Sequence, residues 1–152
     1  MAAIAKGAAL MTAAVLLASC RVEPEGCRLG KLITEGKVEQ LRSDVVSLPP
    51  SEAVCEGKSL LSIAAASRRG YESTVVLLNA GIKPGAVKDI GMTPLHVAAM
   101  WADTRQVELL LANGADPLAR DAEGKRAIDL ARVREDEDGV EIARVLKAAE
   151  AR

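Results

Sequence analysis

The sequence predicts an all-α solenoid of about four helix-turn-helix repeats joined by short finger turns. Three observations predict it. Gly57, Gly91 and Gly124 stand 34 and 33 residues apart and open the segments "GKSLLSIAAASRRG", "GMTPLHVAAMWADT" and "GKRAIDLARVREDE". Leu61, Leu95 and Ile128 keep that spacing, as do Ala64, Ala98 and Ala131. Apolar residues make up 49% of the 152-residue chain, yet Phe is absent and the aromatics are Tyr71 and Trp101. A core without rings suits small side chains on closely approaching helices. A unit of some thirty-three residues cannot bury its own apolar face and must stack on its neighbours.

The first segment to account for is "MAAIAKGAALMTAAVLLASC", which has one cation, Lys6, ahead of an uncharged apolar run from Gly7 to Ala18. That run is short for a membrane span and suits the core of a signal peptide. Its end, Leu17-Ala18-Ser19-Cys20, resembles the bacterial lipobox. The resemblance implies that residues 1–19 are removed and that Cys20 is lipidated, with residues 20–26 as a short tether. An ordinary signal peptide, or a buried N-terminal helix with Cys20 incidental, remains the alternative. Arg21 stands where Asp would be the inner-membrane retention cue in the lipoproteins that this segment resembles, so the outer membrane is the favoured destination. Six residues separate Cys20 from Cys27 and reach about 25 Å at most, which would hold the folded part near the membrane surface.

The folded part is expected to begin at Cys27, with repeats at 27–56, 57–90, 91–123 and 124–152. In the first, "GKLITEGKVEQLRSDV" (30–45) reads as two short helices around Gly36. Cys27 and Cys55 fall at its two ends. In an exported chain they are a disulfide pair, and in a cytosolic one two free, buried thiols. In each later repeat a helix starts three or four residues after the glycine. In the third, Thr93 is placed as N-cap and Pro94 at the first helical position, where no N–H is needed. Second helices are expected over 72–81, 104–116 and 139–149, with Gly114 stopping the one in the third repeat. Leu109 to Val145 spans 36 residues rather than 33, so three residues are inserted in the fourth repeat at "REDEDG" (134–139). That acidic run reads either as a docking loop or as a solvated turn.

The run "DIGMTPLHVAA…VELLLANGADP" at 89–117 closely resembles the ankyrin repeat, through its T-P-L-H motif and its L-L-x-x-G-A-D ending. Residues 57–90 are a looser copy, with Ser62 where the histidine would be. In 124–152, Arg126-Ala127-Ile128-Asp129 replaces T-P-L-H. The resemblance implies that His96 is a structural peg, joining its own turn to the neighbouring repeat by hydrogen bonds. It also implies a concave protein-binding face made of the finger turns and the exposed side of each first helix. Carried over by position, that face comprises Glu56 and Lys58, then Asp89, Ile90, Met92, Met100 and Trp101, then Ala122, Glu123, Lys125, Val133 and Arg134. Trp101 reads two ways, as an anchor for a partner or as a cover over the helix junction.

The charge balance, 20 basic against 21 acidic residues, gives no polycation for a phosphate backbone, so nucleic acid is not an expected partner. No phosphate-binding glycine motif is present. One histidine and two distant cysteines assemble neither a catalytic pair nor a metal site by spacing, so no enzyme, cofactor or metal is expected. The expected function is that of a monomeric, lipid-anchored, periplasm-facing protein-binding module. Exported bacterial ankyrin proteins include immunity proteins against secreted antibacterial effectors, which is the specific expectation. A periplasmic scaffold or stress-protective factor without one tight partner is the alternative.

Overall fold

A computed structural model describes residues 24–49, 53–67, 69–85 and 91–151. The leader, Cys20, Asp89 and Ile90 therefore lie outside the described residues. Among those described, helices α1 (Glu25–Glu35) and α2 (Val38–Asp44) form the first pair, followed by a short 3-10 turn, Val45–Ser47. Strands β1 (Val54–Cys55) and β2 (Lys58–Ser59) make an antiparallel hairpin, Val54 opposite Ser59 and Cys55 opposite Lys58. Three further pairs follow: α3 (Leu60–Ala66) with α4 (Gly70–Asn79), α5 (Pro94–Trp101) with α6 (Thr104–Ala112), and α7 (Ala127–Ala131) with α8 (Glu137–Glu150).

The pairs line up in two rows. First helices α1, α3, α5 and α7 pack in sequence along one row, and second helices α2, α4, α6 and α8 along the other. The molecule is an all-α ankyrin-repeat solenoid. Helix α1 shows why such short helices hold. Leu29, Leu32 and Ile33 recur at helical spacing and are all buried. The first helix starts at Glu25, behind Pro24, two residues before the boundary expected at Cys27.

Three helices stop by one device. Gly36, Gly81 and Gly114 take φ of 70°, 86° and 88°. Each donates its N–H three residues back, to Ile33, Leu78 and Leu111, while the next residue donates five back, to Leu32, Leu77 and Leu110. This double bond satisfies the last carbonyls of the helix, and only glycine adopts the left-handed turn without strain. It ends α6 at Ala112, four residues before the expected 116. Helix α4 starts at Gly70, two residues before the expected 72, and a Cβ there would come within 1.7 Å of the Ala64 carbonyl oxygen.

The buried side chains fall into two clusters. One runs from Leu29 to Ile82 through the first two pairs; the other holds Leu95, Leu110, Ile128, Ile142 and Leu146 of the last two, with Ala65 of α3 reaching into it. Leu95, Ala98 and Ala99 are fully buried, so the small-residue stripe does bring neighbouring helices close. Between the clusters a buried bond crosses the second row, Gln106 Nε2 donating to Thr74 Oγ1 at 2.9 Å.

Candidate protein-binding face

The finger turns and the ends of the first helices carry the expected binding residues. In the second repeat the finger is the β1–β2 hairpin. Its turn residues, Glu56 and Gly57, both have positive φ, 51° and 78°, the backbone that tight two-residue hairpins require. Glu56 and Lys58 are exposed there. A disulfide between Cys27 and Cys55 fastens this finger to α1, with Cα atoms 4.5 Å apart.

The third and fourth fingers touch. Gly91 has a φ of 81°, and a Cβ on it would stand 2.7 Å from both the Cβ and the amide nitrogen of Ala122. The fourth finger is organised by Asp121, whose Oδ1 accepts from the backbone N–H groups of Glu123 and Lys125, both at 2.9 Å. Glu123 and Lys125 are exposed at its tip but paired with each other, Oε2 to Nζ at 2.7 Å. The Glu123 carboxylate holds the Lys125 ammonium above its ordinary range. An exposed pair of this kind leaves little net charge for a partner. Met92 is half-buried at the base of the third finger.

His96 sits at the junction of two repeats. Thr93 N–H donates to its Nδ1 at 3.2 Å, and Thr93 Oγ1 lies 2.8 Å from the same nitrogen. Since Nδ1 accepts, Nε2 carries the proton and donates to the Lys125 carbonyl, 3.0 Å away in the next finger. The residue is 1% exposed, and both ring nitrogens are committed to backbone of adjacent repeats. The equivalent positions keep half of this arrangement. Ser59 Oγ caps α3 by accepting from Ser62 N–H at 3.0 Å. In the fourth repeat Asp129 Oδ2 accepts from Arg126 N–H at 3.0 Å, and that bond first of all, then the Arg126 charge, holds the Asp129 carboxyl below its ordinary range.

Trp101 ends α5 and is 67% exposed. It therefore does not fold back as a cover over the helix junction. With half-buried Met100 it lines a surface hollow closed on the other side by Arg134, Glu135 and Asp136. Arg134 departs from its expected place on the free surface: its side chain is 14% exposed and faces inward. Nη1 donates to the carbonyls of Ala102 at 2.7 Å and Ala99 at 3.3 Å, the open end of α5. Nε and Nη2 meet Asp136 at 2.9 and 2.6 Å. Asp136 in turn caps α8, accepting from Gly139 N–H at 2.8 Å, and the Arg134 bond leads in holding its carboxyl below the ordinary range. In the sequence Arg134 opens a charged run and falls, by position, on the binding face. The signal that could have singled it out was the insertion, because an extended turn needs a tie to the previous repeat. Val133, beside it, is exposed. Tyr71 stacks under the Arg105 guanidinium, 4.5 Å from the ring centre, as a packing residue of the second row.

Residues 90–122 match the ankyrin repeat family. The chain is similar to several larger proteins over its repeats. It is 44% identical over 57 residues to the E3 ubiquitin-protein ligase hecd-1 of Caenorhabditis elegans, covering 38% of this chain and 2% of that protein. It is 55% identical over 42 residues to the ARF GTPase-activating protein GIT1 of Homo sapiens, 28% of this chain and 6% of the other. To the ankyrin and IPT/TIG repeat-containing protein C26H5.05 of Schizosaccharomyces pombe it is 40% identical over 74 residues, 49% and 6% respectively. The chain thus spans a small fraction of each of these relatives. What they share is the repeat, and an ankyrin-repeat solenoid is a protein-binding module.

Proposed function

We propose that this chain is a protein-binding ankyrin lipoprotein, with residues 1–19 as signal peptide and Cys20 carrying lipid at the periplasmic face of a bacterial membrane. There it would act as an immunity protein that occupies a secreted antibacterial effector. The observation that carries the binding reading is Trp101, a large aromatic side chain left 67% exposed at the end of a first-row helix. Tryptophan contributes heavily where interfaces are well packed, and this one lies beside Met100 in a surface hollow. Export is supported by the Leu17-Ala18-Ser19-Cys20 sequence and by the Cys27–Cys55 disulfide, since such bonds persist in oxidising compartments. With α1 starting at Glu25, the path from Cys20 to the first helix is about 18 Å at most, which would keep the solenoid against the membrane.

The test is affinity purification of the full-length protein from its native envelope, alongside Trp101→Ala and Cys20→Ala variants. One stoichiometric protein should co-purify, be lost with Trp101→Ala while helical signal stays, and remain with Cys20→Ala. The Cys20→Ala variant should also fail to take up a labelled fatty acid that the parent incorporates. Several weak partners in place of one would favour a scaffold; no partner, or one indifferent to Trp101, would sink the reading.

A further inference from the structure

The hollow beside Trp101 has a chemical character of its own. Its floor is apolar, Met100 and the indole of Trp101. Its other wall is the turn between α7 and α8, where Arg134, Glu135 and Asp136 line it, both carboxylates exposed. The one cation of that run, Arg134, is turned inward onto the α5 carbonyls and Asp136. Asp138, in the first turn of α8, lies at 4.0 Å from the same guanidinium, whereas Glu135, on the wall of the hollow, makes no ion pair among the described residues. The turn owes its length to the three residues by which the fourth repeat exceeds the thirty-three-residue spacing. Arg134 ties that extra length to the carbonyl end of the helix that bears Trp101. An insertion anchored in this way sets the Glu135 carboxylate and the Trp101 side chain on the walls of one hollow.

We infer that this hollow receives an arginine side chain from a partner polypeptide, its guanidinium over the Trp101 indole and against the Glu135 carboxylate. This rests on the protein-binding reading above and names the kind of partner segment that the face accepts. Charge complementarity selects a cation over an anion or a neutral chain. A planar guanidinium stacks on an indole and forks onto carboxylates, and its methylene stem suits Met100. An ammonium would satisfy the charge but not the stacking.

Trp101 is the only tryptophan, so its fluorescence reports this site alone. The full-length protein in non-ionic detergent, disulfide intact, is titrated with a Gly/Ser peptide carrying three arginines. Parallel titrations use the same peptide with glutamates or lysines in their place. The arginine peptide should change Trp101 emission saturably, the lysine peptide should bind more weakly, and the glutamate peptide should not bind. Glu135→Gln should weaken arginine-peptide binding roughly threefold, as expected for one exposed charge pair. Equal binding of the glutamate peptide, or unchanged binding by Glu135→Gln, overturns the inference. So does a saturable response to phosphatidylcholine vesicles that the arginine peptide fails to displace. In the envelope purification, a partner that needs Trp101 but ignores Glu135 overturns the arginine inference while leaving the protein-binding reading intact. Absence of any partner overturns the reading beneath it.

Discussion

At the scale of single residues, His96 carries the clearest consequence. It replaces a turn's worth of backbone partners with two imidazole bonds, one to its own N-cap and one to the Lys125 carbonyl of the next finger. His96→Ala strands a buried N–H and a carbonyl and leaves a void, so it should cost about 2–3 kcal/mol of stability in urea unfolding. His96→Asn can keep the cap bond but not the 3.0 Å bridge, and should lose about half as much. An unchanged stability in His96→Asn would show that the inter-repeat bond contributes nothing. Asp129 and Ser62 occupy the same position in their repeats and serve their own caps, which is why the motif can degrade at the ends while the helices persist.

At the scale of elements, the β1–β2 finger depends on the disulfide. A two-residue-per-strand hairpin has too few ladder bonds to persist by itself, and Cys55 is covalently held to α1 across a sequence separation of 28. Closing a loop of that length is worth roughly 3–4 kcal/mol in the chain-entropy account. Reduction, or Cys27→Ser with Cys55→Ser, should lower the unfolding midpoint accordingly and speed amide exchange in 25–35 and 54–59 before it does so in 94–112. Uniform loss of protection through all four pairs would contradict this local role. The same logic explains α7, five residues long, which survives because Arg126 bonds Glu150 at 3.1 Å and so fastens its start to the end of α8.

Over the whole molecule, two hydrophobic clusters meet through Ala65 and the Gln106–Thr74 bond. Repeat stacks behave as units coupled by nearest-neighbour interfaces, and weakening one interface lets the halves unfold separately. Gln106→Ala should therefore cost about 1–2 kcal/mol and broaden the urea transition, lowering its apparent slope, more than a surface substitution of equal cost would. A shifted but equally steep transition would mean that the α3–α5 packing alone couples the halves.

The sequence by itself determined the repeat, because its signals are local. Glycine at positive φ, a Thr-Pro helix start and apolar residues at helical spacing act within one turn of the chain. Gly36, Gly91, Gly114, Thr93 and the Leu95 stripe could be read from spacing for that reason, and His96 by likeness to its family. Only the tertiary structure decided what long side chains do. Whether Trp101 covers a junction or stands in solvent, and whether Arg134 faces outward or clamps the carbonyls of Ala99 and Ala102, depends on groups more than thirty residues away. The early start of α1 was likewise not legible, because Pro24 precedes it with no side-chain cap bond to announce the helix. The partner-facing surface is thus the least legible part, since an exposed side chain's direction is fixed by neighbours in the next repeat and not by its own.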